Sequence, residues 1–415
     1  MRADTLAVWL GGVCVATVER ERKGRLRLSY TDQARERFDP GTPVLSVNLP
    51  LTDERYPNAR TRAFLDGMLP EGQPRLAIAA ELGLAADDVF GLLASLGRDC
   101  AGALSIQPAE DPAPNTSSTL GAEPLSAGEL GELVANLHSA PLGLGRKVRL
   151  SLAGVQEKLL LTRMPDGRWG RPVDGTPSTH ILKPEIARYR GTVENEAFCM
   201  RIAHALGLEV ANVETITVDE SPVLVVERYD RLVAADGSVS RLHQEDFCQA
   251  LGLPSARKYE EDGGPKLGVI ARVLQDTASN DAPERFLRAI TLNVALGNCD
   301  AHAKNFSLLH TESGALRLAP LYDLMSTRPY PVDDSLAMYV DTVQKADRVS
   351  AERIVNEAAG WGMRRAQAVE IVGDTLERMP SAVSLAASHT SGIADELVEL
   401  VAARVTRLAG GAPAG

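Results

Sequence analysis

Hydrophobic and polar positions near the amino terminus alternate at strand spacing. Residues 5–18 read TLAVWL-GG-VCVATV, two β-prone runs split by Gly11-Gly12, which predicts a tight hairpin. RLRLSY (25–30) alternates with period two and predicts a third strand. Shorter helical patterns follow in FLDGMLPEG (64–72) and LAIAAELGL (76–84). From Pro108 to Ser126 the sequence PAEDPAPNTSSTLGAEPLS has no apolar period and is rich in Pro, Ser, Thr and Ala, which predicts a linker. Ser126 and Glu129 then have the form of a capping box opening a helix. Strand-like runs VRLSL (148–152), EKLLLTR (157–163) and HILK (180–183) precede a helix over 193–206 and the strand VLVVERY (223–229). Past residue 243 the pattern is helical almost throughout, ending in the amphipathic IADELVELVAARVTRLA (393–409). The pattern predicts an α+β chain: a β-rich start over 1–107, a linker over 108–126, a mixed small lobe over 127–242 and an all-helical C-terminal lobe over 243–415.

Composition narrows the class. At 415 residues the chain is too long for one core, because single cores rarely grow past ~250–300 residues. Aromatics are only 4%, so the core must be built from Leu, Ala, Val and Ile. A net charge of -11 argues against a large nucleic-acid-binding face. The five cysteines are scattered and form no C-x-x-C pair, which argues against disulfides or structural zinc and points to a reducing cytoplasm. The apolar stretch at the start follows no basic region and falls short of the ~18 residues a span needs, so neither export nor membrane insertion is expected.

The densest polar cluster is Asn298-Cys-Asp300-Ala-His302-Ala-Lys304-Asn305, after a helix that places Phe286, Ile290 and Val294 on one face. Asp300 and Asn305 have the spacing of the Asp and Asn in the protein-kinase catalytic loop H-R-D-x-x-x-x-N. In that chemistry the Asp takes the acceptor's proton and the Asn holds magnesium, because the nucleophile must be oriented while charge on the transferred group is neutralised. Leu316–Leu321 is a mostly apolar run delivering Tyr322-Asp323, where kinases place a second magnesium ligand. Lys183 ends the strand HILK, at the position of a lysine that pairs with ATP phosphates; its carboxylate partner would be Glu194 or Glu196, with Glu196 favoured. Ser151-Leu-Ala-Gly154-Val-Gln-Glu-Lys158 lies between two strands, and backbone N–H groups in such a turn can hold phosphate oxygens, with Lys158 adding charge. VLVVERY could supply a hinge whose backbone reads adenine.

Together these residues resemble the HipA family of toxin kinases. The matching segments include LSVNLPL, FLDGMLPEG, LGRDCAGALSI (96–106), SLAGVQEKLLL (151–161), THILKP (179–184) and VVERYDR (225–231). QEDFCQALGLPS (244–255), KYEEDGGP (258–265), DAHAKNFS (300–307) and LYDLMS (321–326) continue the match. The resemblance implies a bilobal protein-kinase-like fold of the HipA type and an ATP- and Mg2+-dependent serine/threonine kinase. It places the catalytic base at Asp300, with His302 and Asn305 following in the active-site loop, and magnesium at Asn305 and Asp323. It assigns nucleotide contacts to Ala153, Gly154, Val155, Gln156, Glu157, Lys158, Lys183, His302, Lys304, Asn305, Tyr322 and Asp323, with Glu227, Arg228 and Tyr229 as the adenine hinge. It further implies autophosphorylation at Ser151, a HipB-like helix-turn-helix antitoxin as partner, and an aminoacyl-tRNA synthetase as a protein substrate. The C-terminal third shows only Arg364-Arg365 as a local basic pair, so operator DNA would be held mainly through the antitoxin.

Three other functions draw on the same residues. A small-molecule phosphotransferase of the aminoglycoside or choline kinase kind uses a similar Asp, Asn and downstream Asp but has no need of the N-terminal subdomain. A non-catalytic corepressor would not require the full set of catalytic residues. A metal-dependent hydrolase built on Asp300, His302 and Asp323 leaves Lys183 and the loop at Ser151 unexplained. His302 is best assigned to nucleotide or loop positioning, and Cys299 to a buried apolar role.

Overall fold

The structure is a computed structural model that describes residues 4–114, 121–137, 154, 156–173, 175–311 and 314–411. Contacts divide the chain into two compact units: Met1–Pro184, Ile216–Ser255 and His310–Gly314 form one, and Glu185–Thr215, Ala256–Leu309 and Ala315–Gly415 the other. The chain thus passes back and forth between units, and the segments either side of the expected linker fall in the same unit.

In the first unit the expected hairpin forms from Thr5–Leu10 and Val13–Arg20, with Gly11 (φ 56°) and Gly12 (φ 78°) supplying the left-handed turn that a two-residue loop demands. Leu26–Tyr30 and Leu104–Pro108 flank the hairpin to complete a four-stranded sheet. Leu6, Val8, Leu28 and Ile106 from the sheet pack with Phe64, Leu93 and Leu96 from the helices Asn58–Asp66 and Val89–Leu96. Each such side chain contributes about 1.5–3 kcal/mol on burial.

A second sheet runs Glu123–Pro124, Trp169–Arg171, Leu159–Arg163, His180–Pro184, Ser221–Glu227 and Val213–Val218. Strand alternation sorts its side chains. Leu159, Leu161, Leu182, Val223 and Val225 pack against Leu130 of the helix Ala127–Ala135, which opens on the Ser126/Glu129 capping box. Leu160 and Ile181, one residue out of step, join the N-terminal core instead. Within the expected linker, Glu123–Pro124 is therefore an edge strand of this sheet.

Buried charges cross-link the same unit. Asp99 accepts from Ser178 N–H (2.9 Å) and Ser178 Oγ (2.6 Å), and pairs with Arg231 (2.9 Å) and Arg241 (3.0 Å). Arg228 grips Asp230 with Nε (3.0 Å) and Nη2 (2.8 Å). Burial pushes the Asp99 carboxyl up, but Arg241, Arg231 and Arg228 outweigh it and hold it well below the usual carboxylate range. Gly102 closes this cluster: its N–H donates to Asp230 Oδ2 (2.7 Å) and its carbonyl accepts from Arg231 (2.7 Å). It sits at φ +74°, and an added Cβ would lie 2.6 Å from Gln244 N and 2.8 Å from His243 Nδ1. Gly102→Ala is accordingly expected to destabilise the protein by more than about 1 kcal/mol in urea unfolding, whereas Gly128→Ala, in a helix with open space around it, should be neutral or stabilising. Equal midpoints for the two variants would contradict this account.

The second unit is built on the helix Ala282–Leu296, buried along most of its length through Phe286, Leu287, Ile290, Leu292, Val294 and Leu296. Thr192–Ala205, Leu267–Thr277, Ala351–Gly360, Arg365–Ser388 and Asp395–Gly410 belong to the same unit. The C-terminal half is not helical throughout: Ser307–His310, Leu316–Leu318, Ser335–Val340 and Val343–Lys345 are strands. Runs of three to six residues are shorter than the window in which strand and helix periods can be told apart. No helix of the described residues is long and apolar enough to cross a membrane.

Candidate active site

The helix Ala282–Leu296 gives the loop after it a fixed base. Gly297 ends the helix in the left-handed region (φ 69°), where a Cβ would meet Arg328 Cγ at 2.5 Å and Arg404 Nε at 2.9 Å. Asn298 then turns the chain: its Nδ2 donates to Asn293 Oδ1 (2.8 Å), and its Oδ1 accepts the Asp300 N–H (3.2 Å). Asp300 is left exposed at the loop's outer edge, where Tyr259 donates its hydroxyl to Oδ1 at 2.8 Å.

The rest of the loop is locked from inside. Asn305 Oδ1 accepts the His302 N–H (3.0 Å), and the Asn305 N–H returns to the His302 carbonyl (2.9 Å). Asn305 Nδ2 reaches Asp323 Oδ2 at 2.8 Å. The Asp300 carbonyl also accepts the His302 N–H (2.8 Å), so hydrogen bonds run from Asp300 through His302 to Asn305, and Asn305 links the loop to the downstream aspartate. Asp323 itself has φ 58°, a conformation that costs about 1–3 kcal/mol for most side chains and is borne best by Asp and Asn. Tyr322, beside it, donates to the Lys304 carbonyl (2.7 Å) and leaves Ser307 Oγ to donate to its own oxygen (2.7 Å).

His302 is buried, and burial, reinforced by Lys258 and Lys304 against the opposing pull of Asp323, holds its pKa down to about 3. It is therefore neutral at pH 7. Its Nδ1 is buried without a hydrogen-bond partner, and its ring packs edge-on against Tyr259 at 5.2 Å. A neutral, enclosed ring suits positioning and not proton delivery.

The residues of the first unit expected to contact nucleotide form a second group. Gly154, at φ 123°, bridges to Pro70, and its carbonyl accepts the Glu71 N–H (3.0 Å). A Cβ on Gly154 would meet the Lys158 ammonium, which lies against the backbone there. Gln156 and Glu157 are half-buried beside it, while Ser151, Ala153 and Val155 lie outside the described residues. Leu159 pairs with Leu182, and one further step of this antiparallel register sets Lys158 opposite Lys183. Both lysines are buried, on the face shared with Leu160 and Ile181. Ammonium groups on neighbouring strands suit an anion with several charged oxygens.

At the expected hinge, Glu227 is exposed and pairs in register with His180. The Arg228 N–H is already given to the Thr179 carbonyl (2.9 Å), and its side chain is wholly engaged by Asp99, Ser178 and Asp230. Tyr229 donates to Gln244. Of the two helix acids, Glu196 is buried and Glu194 half-buried. Sequence reasoning passed over Tyr259 and Lys258, and named Asn298 without a role. The signal for the first two was present in KYEEDGGP, a motif without an assigned role. Among the described residues no three His, Cys, Asp or Glu side chains gather as metal ligands.

Residues 6–107 match the HipA N-terminal domain family, and residues 150–383 match the HipA-like C-terminal domain family. Y4mE of Sinorhizobium fredii, inferred to be a kinase, is 40% identical over 388 residues, 91% of each chain. The serine/threonine-protein kinase toxin HipA of Shewanella oneidensis is 32% identical over 356 residues, covering 82% of this chain and 80% of that one. The solved complex of Shewanella oneidensis HipA, HipB and operator DNA contains a chain that superposes with a TM-score of 0.83 at 27% identity, covering 98% of this chain and 96% of that one. The class defined is a kinase-like phosphotransferase with an α+β fold. The chain belongs to the HipA family of serine/threonine-protein kinase toxins.

Proposed function

We propose that this kinase transfers the γ-phosphoryl group of ATP to serine or threonine hydroxyls of protein, with Asp300 as the base, as the toxin of a toxin–antitoxin pair. The observation that carries the proposal is the Asn305–Asp323 contact at 2.8 Å, on a loop that presents Asp300 five residues away. Asn305 and Asp323 fit a magnesium ion. Magnesium takes one or two carboxylates together with substrate phosphates and water, and the Asn305 amide oxygen keeps a lone pair after accepting from His302. When bound, the ion would neutralise charge on the phosphates. Lys158 and Lys183 would hold phosphate oxygens, and Tyr322 and Lys304 keep the loop closed. Asp300 would accept the acceptor hydroxyl's proton as its oxygen bonds to phosphorus and the bond to ADP breaks.

The finer assignments follow the resemblance. Ser151 is the proposed autophosphorylation site, where a doubly negative group would lie beside Gly154 and Lys158 and compete with ATP phosphates. An aminoacyl-tRNA synthetase is the proposed target and a HipB-like antitoxin the proposed partner, supported by the related Shewanella chain solved with HipB and operator DNA. Contact with DNA is assigned mainly to the antitoxin: net charge is -11, and Arg365 is paired with Glu352 (2.5 Å). A cytoplasmic location accords with five free cysteines, none disulfide-bonded.

Incubation with labelled ATP and magnesium tests this directly. Wild type should label itself, and Ser151→Ala should lose self-labelling while still labelling an added protein. Undiminished self-labelling of Ser151→Ala would remove that site from the proposal, and transfer to an aminoglycoside or choline with none to protein would replace the proposed substrate class.

A further inference from the structure

Tyr259 has no part in the phosphoryl-transfer roles assigned above, yet its hydroxyl donates to the proposed base at 2.8 Å. That is the distance and the donor chemistry an acceptor serine must adopt for general-base catalysis, which requires an approach of ~2.6–3.2 Å. We propose that Tyr259 is a positioning residue that holds Asp300 Oδ1 in the acceptor's place until a protein hydroxyl displaces it, and so keeps water from being activated there. The inference rests on Asp300 being the base.

The segment around Tyr259 is built to hold this contact. The Lys258 carbonyl accepts the Ala303 N–H (3.2 Å), pinning the segment to the loop of Asp300. The Tyr259 carbonyl accepts from Asp262 (3.1 Å) and Gly264 (2.8 Å), closing a tight turn. Only glycine fits at 264, since a Cβ there would lie 2.5 Å from the carbonyl oxygens of Arg257 and Tyr259. Next door, the Glu260 N–H donates to the Ala337 carbonyl (2.8 Å) and its carboxylate accepts the Tyr339 N–H (2.8 Å). On its other side the Tyr259 ring meets the neutral His302 ring. Backbone on both flanks and an aromatic contact thus fix the phenol, while the half-exposed hydroxyl end stays open to replacement.

The chemical consequence is a partition. With a protein acceptor, the serine oxygen bonds to the γ-phosphorus, its proton passes to Asp300 and ADP leaves. With water, the same bonds form and break but the product is inorganic phosphate. Removing the phenol hydroxyl takes away the donor that competes with water at Oδ1 and leaves the residues proposed to hold nucleotide unchanged.

The test uses the full chain, MgATP and casein as an added acceptor, and reads the ratio of inorganic phosphate released to phosphate incorporated into protein. This ratio does not depend on the fraction of enzyme that is folded. Tyr259→Phe should raise it about ten- to a hundredfold, the scale of one hydrogen bond to a charged group, with the KM for ATP unchanged. Tyr259→Leu should raise it to a similar extent. A ratio unchanged or lowered in Tyr259→Phe would overturn the inference, as would a rise confined to Tyr259→Leu, which would assign the effect to the ring. If wild type neither labels protein nor releases phosphate, the kinase proposal fails first; if it does both and the Tyr259 variants match it, the inference alone fails.

Discussion

Asp300→Asn is expected to slow phosphoryl transfer by about 10²- to 10⁴-fold, the usual contribution of a positioned general base. The substitution keeps the size of the side chain and an Oδ1 that can still accept from Tyr259, so the contact at 2.8 Å can persist. Asp300 is exposed and fills no part of the core, so the thermal midpoint should stay within experimental error. Nucleotide affinity should also stay near wild type, because the residues proposed to hold phosphates and magnesium are Lys158, Lys183, Asn305 and Asp323. Asp323→Asn should behave differently: it removes the carboxylate that receives Asn305 Nδ2 and that would carry magnesium, so affinity for MgATP and rate should fall together. Single-turnover kinetics with ATP titration separates the two patterns. An Asp300→Asn enzyme retaining more than a tenth of wild-type rate would remove Asp300 from the role of base.

Where one residue's neighbours in sequence are also its neighbours in space, the sequence was readable. Gly11-Gly12 and the Ser126/Glu129 capping box are local, and each appears as expected from residue type and offset. The Asn305–Asp323 contact spans 18 residues and was within reach because both ends match a known arrangement. Arg228 shows where such reasoning stops. As part of VVERYDR it resembles a hinge residue, but its side chain answers to Asp99 and Ser178, 129 and 50 residues away, and no local pattern encodes that demand. Tyr259 was missed for the same reason, being 41 residues from the carboxylate it contacts. The chain's repeated passage between its two compact units is likewise invisible to composition, because it depends on which apolar faces meet.

Asp99→Ala should be the most damaging single substitution away from the site, costing about 3–5 kcal/mol, because it removes the carboxylate paired with Arg241 and leaves Asp230 alone to balance the buried cations of Arg228 and Arg231. A loss of that size approaches the whole stability of an ordinary domain, so soluble yield should fall as well. The pH dependence gives a second signature. Burial pushes the Asp230 carboxyl up, but Arg228 and Arg231 prevail and hold its pKa near 2, and Asp99 is held low in the same way. Both are depressed below the ~3.9 of an unfolded aspartate, so their contribution is complete above about pH 4 and is lost as pH falls through the folded values. His243 acts earlier in the same direction. Burial, with His310 nearby, holds its pKa at about 3, against the favourable pull of the Leu45 carbonyl and Asp230. An unfolded chain takes up that proton from about pH 6.5 downward while the folded one does not, so stability should decline at roughly 1 kcal/mol per pH unit between pH 6 and 4. Urea unfolding across pH 3–8 should therefore show a gentle slope above pH 4 that His243→Gln reduces, buried His302 contributing in the same direction, and a steeper fall below pH 4 that requires Asp99. A cost below about 1 kcal/mol for Asp99→Ala at pH 7, or a steep fall below pH 4 that survives its removal, would show that the arginine cluster does not hold this unit together.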